Sequence, residues 1–124
     1  KESYYQWFED LDCEKRFGYF CNSILIDGVQ IDFFPANIHN YYCQIMMWTG
    51  SATFNTYIKS VFLDKGMFFS TYGIFDGKKL LTGIESEHDI FSIIDHEYIA
   101  PEDREFGFKK VKKIIKAREP EWKV

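Results

Sequence analysis

The sequence has little with which to build an extracellular scaffold or a self-contained metal centre. Its three cysteines, Cys13, Cys21 and Cys43, are odd in number and lack paired spacing. That excludes a disulfide framework and a cysteine-rich zinc motif and leaves three reduced thiols as the expectation. The histidines His39, His88 and His96 are scattered along the chain and suit surface or capping positions better than a ligand set. No glycine-rich phosphate loop and no nucleophile elbow is present. The longest uncharged run, 33–58, is interrupted by Pro35, Asn37, His39, Asn40, Gln44, Gly50 and Asn55, so it is not a membrane span. There are no repeats and no low-complexity tracts. No secretory signal precedes the first element, which points to an intracellular, non-secreted protein. The chain begins at Lys1 inside what reads as an element, so a portion of a longer product is expected.

What is present belongs to a folded protein. Of 124 residues, 46% are hydrophobic and 27% charged, a balance that fills one domain-sized core rather than a disordered chain. Aromatics reach 19%, which favours a dense core or flat faces for ligands or bases. The net charge of −4 hides an asymmetry. Residues 1–104 hold 8 Lys and Arg against 16 Asp and Glu, whereas the last 20 residues hold 7 against 3. A lysine-rich amphipathic tail, with Phe108, Val111, Ile114 and Ile115 on one side, is therefore electrically distinct from the rest.

In chain order, residues 1–12 are aromatic and acidic without a clear period. A strand pattern then runs from Phe17 to Ile26, Asp27-Gly28 gives a two-residue hairpin turn, and Val29–Phe34 returns until Pro35 stops it. Asn37 or His39 opens a short helix to about Trp48, and a second helix runs from about Ser51 to Lys65 with Phe54, Ile58, Val61 and Phe62 on one face. Gly66 suits a left-handed cap, Asp76-Gly77 repeats the hairpin signature, and Ser86 opens a helix carrying Ile90, Phe91, Ile93 and Ile94 inward. The order ββααβββα, with a helical tail, predicts an α+β fold.

Two acidic features stand out. Asp10-Leu11-Asp12 alternates as two carboxylates on one side of a strand would, although a solvated acidic loop is the plainer reading. Asp32 lies between Ile31 and Phe33 in a strand that looks central, where a charge is costly unless paired or bound to metal.

The most specific stretch follows it. Tyr41-Tyr42-Cys43, then Trp48-Thr49-Gly50-Ser51, then Phe54-Asn55, resembles the family X DNA polymerases. The likeness continues through Leu63-Asp64-Lys65-Gly66, Tyr72, Ser86-Glu87-His88-Asp89-Ile90-Phe91 and Tyr98-x-x-Pro101-x-x-Arg104, and covers about residues 15–104. It implies the C-terminal part of a palm over 1–36 and a polymerase thumb of helices and a small antiparallel sheet over 37–104; the basic helical tail over 105–124 lies outside the resemblance, and its lysines either contact phosphate or form a solvated helix face. It also implies DNA-directed nucleotidyl transfer in gap-filling or repair synthesis. The partners implied are gapped or primed DNA and deoxynucleoside triphosphates. The chain is expected to act as a monomer, away from membranes, in cytoplasm, nucleus or a viral factory.

By the same resemblance Asp32 is the third catalytic carboxylate, a ligand to the catalytic one of two Mg²⁺ or Mn²⁺ ions and an aid to deprotonating the primer 3′-hydroxyl. Met47 and Trp48 match a Tyr-Phe pair against the incoming sugar, and Gly50-Ser51 match the turn beside the nucleotide. Asn55 matches a reader of the minor-groove edge, Lys59 an arginine on the template strand, and Tyr72 a further DNA contact. Lys109, Lys110, Lys112 and Lys113 of the tail are candidates for phosphate contact. Departures are Gln30 and Phe34 where better-known members carry arginines, Ala52 in place of an aspartate, and Met47 without a hydroxyl. Compact virus-encoded members relax the same positions. The family's upstream Asp-x-Asp pair behind a Gly-Ser or Gly-Gly turn is not met by Asp10 and Asp12, which lie too close to Asp32. The two-metal site is therefore expected to be completed by residues outside this chain, and the 124-residue chain alone to be inactive. Two other readings stay open, a DNA-binding module that kept the thumb and lost the chemistry, and a nucleotidyltransferase with another acceptor.

Overall fold

A computed structural model describes residues 2–19, 21–105 and 107. Its architecture is α+β, and the chain divides into two units, the first through Ala36 and the second from Asn37 on.

The first unit comprises helix α1 (Glu2–Asp10) and strands β1 (Glu14–Phe17), β2 (Asn22–Ile26) and β3 (Val29–Phe33). The strands form one antiparallel sheet in the order β1-β2-β3. The β2–β3 hairpin turns at Asp27 (φ 51°) and Gly28 (φ 78°), the paired left-handed conformation that a two-residue turn consistent with strand twist demands. Where a single strand is predicted from Phe17 to Ile26, the chain folds back. Gly18 N–H donates to the Cys21 carbonyl at 3.0 Å, and a Cβ at Gly18 would lie 2.5 Å from that oxygen. Glycine at this one position thus converts a long strand into a second hairpin. Helix α1 arises where no period is legible. Phe8 is fully buried and meets Phe17 and Phe33 edge-on at 5.3 and 5.8 Å. A single well-packed aromatic anchors this short helix, which its propensity alone would not hold.

The second unit holds α2 (Tyr41–Thr49), α3 (Ala52–Asp64), β4 (Met67–Ser70), β5 (Gly73–Asp76), β6 (Lys79–Leu80), α4 (Glu87–Ile93) and a 3₁₀ turn (Pro101–Asp103). Helix α2 starts later than Asn37 or His39. The Asn37 side-chain oxygen accepts from His39 N–H at 2.8 Å and Asn40 N–H at 3.0 Å, a local turn that competes with helix until Asn40. Ser51 and Ser86 cap α3 and α4 by accepting from Phe54 N–H and Asp89 N–H, each at 3.2 Å. Gly66 follows α3 at φ 75°, the left-handed position where glycine carries no Cβ penalty. Strands β4, β5 and β6 make a second antiparallel sheet in that order. Cys43, Met46, Phe54, Ile58, Phe62, Phe69, Ile74, Ile90, Phe91 and Ile94 form the core, with Phe62 and Phe69 stacked at 5.0 Å. No helix among the described residues is long and apolar enough to cross a membrane. The predicted tail helix lies outside the described residues.

Candidate functional site

The sequence singles out a segment from the end of α2 through a turn into α3, and the fold brings its residues together. Gly50 (φ 73°) breaks the helix and donates to the Met46 carbonyl at 3.3 Å. The Gly50–Ser51 peptide bond is cis. Ser51 then starts α3, its Oγ accepting from Phe54 N–H and lying 3.0 Å from Thr53 Oγ1. Asn55, in the first turn of α3, donates from Nδ2 to the Met47 carbonyl at 2.8 Å. Its Oδ1 is buried without a hydrogen-bond partner among the described residues. The turn is therefore bridged from both sides by side chains of the candidate site.

Trp48 and Phe54 separate cleanly by burial. Phe54 is buried, whereas Trp48 is 57% exposed at the end of α2. The indole Nε1 donates to Gln44 Oε1 at 3.3 Å, an i, i+4 contact that orients the flat ring. Met47 is half-buried against the core. Lys59 is exposed one helical turn beyond Asn55. Tyr72 is 60% exposed in the β4–β5 turn, its N–H donating to Ser70 Oγ at 3.1 Å. Lys109, Lys110, Lys112 and Lys113 lie outside the described residues.

Asp32 departs from its expected surroundings. It sits on β3, an edge strand of the three-stranded sheet, and is exposed rather than enclosed by hydrophobes. Of its two flanking residues Ile31 is exposed and Phe33 only half-buried, while the carboxylate itself faces water, so no burial cost arises. Two side chains reach it nonetheless. Ser23 Oγ, its cross-strand partner, donates to Asp32 Oδ1 at 2.6 Å, and Gln30 Nε2 donates to the same atom at 2.9 Å. The Gln30 and Ser23 bonds hold the carboxyl below its ordinary value of 3.8, because both favour the ionised form. Gln30 thus supplies a neutral donor to this carboxylate where the resemblance places an arginine. Asp32 is chemically fit to be one ligand of a hard divalent cation, but one carboxylate does not make a site. Asp10 ends α1 and accepts from Gln6 Nε2 at 2.9 Å, Asp12 lies in the following bend, and both are exposed. Asp10 and Asp12 do not share a strand. Among the described residues no group of three His, Cys, Asp or Glu side chains is placed to hold a metal ion.

One residue outside the predicted site is joined to it. Arg104 is completely buried. Its Nη1 donates to Glu87 Oε1 at 2.6 Å and its Nε to the Ile99 carbonyl at 2.9 Å, while its own carbonyl accepts from Ser51 Oγ at 2.7 Å. It ends the polar stretch Pro-Glu-Asp-Arg, and the one signal for it in the sequence is its position at the end of the Tyr98-x-x-Pro101-x-x-Arg104 island. Two of the three histidines hold structural places. His96 Nε2 is 2.6 Å from the Tyr57 hydroxyl, and His88 stacks on Tyr98 at 3.7 Å.

Two helices meeting at a capped glycine turn, backed by a small antiparallel sheet and a further helix, are the arrangement that the resemblance implies for residues 37–104. Residues 44–105 match the family model described as DNA polymerase beta thumb. Over 79 residues the chain is 31% identical to the DNA-directed DNA/RNA polymerase mu of Homo sapiens, an overlap of 62% of this chain and 16% of that protein. This chain belongs to the family X DNA polymerases, as a polymerase beta-like thumb region. It spans about a sixth of the length of that relative. The family-model match begins after Asp32, which lies outside it.

Proposed function

We propose that the chain is the C-terminal palm and thumb of a gap-filling DNA polymerase, over the boundaries 1–36, 37–104 and 105–124, and that it works on gapped or primed DNA with deoxynucleoside triphosphates. The observation that carries this is the Gly50–Ser51 turn, with an exposed indole on one side and Asn55 on the other, within the segment that matches the thumb family. Met47 and Trp48 would lie against the sugar, the Gly50–Ser51 backbone beside the phosphates, and Asn55 against the minor-groove edge, where acceptors are common to all base pairs. Lys59, Tyr72 and the tail lysines Lys109, Lys110, Lys112 and Lys113 would contact DNA. Asp32 would hold Mg²⁺ or Mn²⁺ together with carboxylates outside this chain, and the cation would supply Lewis-acid stabilisation of developing negative charge. The Gln30 and Ser23 hydrogen bonds favour the ionised form of Asp32, the form a divalent cation would take.

The test is single-nucleotide incorporation by the full-length protein on a gapped duplex with Mg²⁺, with deoxy- and ribonucleotides assayed side by side because the relative's name couples DNA and RNA. Asp32→Asn should lower incorporation by about 10²–10³-fold while leaving the affinity for gapped DNA within about twofold. Salt-dependent DNA binding without incorporation would replace the polymerase by a binding module. Binding that is absent or indifferent to salt would overturn both.

A further inference from the structure

A fully buried arginine is expensive unless its charge is matched and its donors are used. Arg104 is the one charged residue among the described residues that is completely buried. Glu87, in the first turn of α4, supplies the opposite charge at 2.6 Å. The Ile99 carbonyl takes the Nε proton at 2.9 Å. Three rings surround the guanidinium, with Phe54 at 5.1 Å, Phe91 at 5.6 Å and Tyr98 at 5.7 Å from Cζ. Cation–π contacts of this kind strengthen as water is excluded. Nη2 is buried with no hydrogen-bond partner among the described residues, a cost carried by the rest of the arrangement.

Apolar packing alone would not need a charged fork at this point. What the fork fixes is the backbone of residue 104. Its carbonyl accepts from Ser51 Oγ at 2.7 Å and from Ser51 N–H at 3.4 Å. The same hydroxyl accepts from Phe54 N–H. One oxygen atom therefore connects the Arg104 carbonyl to the first turn of α3, and Asn55 carries the connection across to the Met47 carbonyl. Glu87, Arg104, Ser51, Asn55 and Met47 form an unbroken relay from α4 to the end of α2.

We propose that Arg104 and Glu87 are positioning residues for the Gly50–Ser51 turn, acting on the incoming nucleotide through Ser51 without touching it. The proposal rests on the reading of that turn as the nucleotide-contacting segment. Lysine cannot substitute, because it carries the charge but not the planar fork that engages Glu87 and Ile99 together.

The experiment compares full-length wild-type protein with Glu87→Gln, Ser51→Ala and Arg104→Lys. Glu87→Gln is close in shape and keeps an acceptor but leaves the Arg104 charge unmatched, so Ser51→Ala, which leaves the Arg104–Glu87 pair intact, is the variant expected to fold. Each should raise the nucleotide KM about tenfold while kcat and the affinity for gapped DNA stay within about twofold, since a loosened turn weakens the hold on the nucleotide equally in ground and transition states and leaves the duplex contacts alone. The Glu87→Gln, Ser51→Ala double variant should be no worse than either single one, because both cut the same relay. Amide hydrogen exchange gives a reading independent of catalysis. Exchange should quicken at Ser51, Thr53, Phe54 and Asn55 while Ile58, Val61 and Phe62 keep their protection. A fall in thermal stability with KM unchanged, or exchange that rises evenly along α3 or not at all, overturns the positioning role. If the wild-type protein incorporates no nucleotide, the polymerase reading fails, and localised exchange still upholds the hold of Arg104 on the turn.

Discussion

At the scale of single residues, ionisation and reactivity are set by a few neighbours. Asp32 is exposed, and its low pKa comes from Gln30 first and Ser23 second. Because the folded carboxyl lies below its ordinary value, these bonds favour the folded state at pH above about 3.8, and their contribution is lost as pH falls through the folded pKa. Gln30→Ala should therefore move the Asp32 carboxyl upward toward 3.8, read as a shifted midpoint in a carbon-13 NMR titration of that side chain. Cys43 is governed by burial instead, which pushes its thiol up to about 12. A thiol without thiolate is a poor nucleophile. Cys43 should resist alkylation in native protein, while Cys13 and Cys21, both partly exposed, react. Mass mapping after a short iodoacetamide pulse separates the three.

At the scale of elements, what was legible in the sequence was whatever local chemistry decides. Asp27-Gly28 turns a hairpin, Ser51 and Ser86 cap helices, and Gly66 closes α3, each through its own backbone preference or its own side chain. What was not legible depends on partners distant in sequence. Helix α1 depends on Phe8 packing against β1 and β3, and the exposure of Asp32 depends on β3 being an edge strand. The burial of Arg104 depends on Glu87 and three rings from elsewhere in the chain. Of the candidate site, the contiguous residues around Gly50 are named only through the family resemblance, and the burial of Arg104 against Ser51 is not legible even there. The capping contribution is directly testable. Ser86→Ala removes the acceptor for Asp89 N–H and should cost about 1 kcal/mol, read as a lower urea midpoint at unchanged m-value.

At the scale of the whole molecule, the bond between Ser51 and Arg104 spans 53 residues of sequence. Closing a loop of that length in an unfolded chain costs about 3.5 kcal/mol of entropy, and a single hydrogen bond returns about 1 kcal/mol. The contact is therefore expected to form after α3, the β4–β6 sheet and α4 have shortened the path between its ends, late in folding. A substitution that weakens it, such as Glu87→Gln, should leave the folding arm of a denaturant chevron almost unmoved and raise the unfolding arm. Equal shifts in both arms would mean that the clasp is already made at the barrier. Because its ends lie 53 residues apart in sequence, the tie between the Gly50–Ser51 turn and Arg104 is expected to be among the last contacts of this unit to set as the protein folds and among the first to loosen as it comes apart.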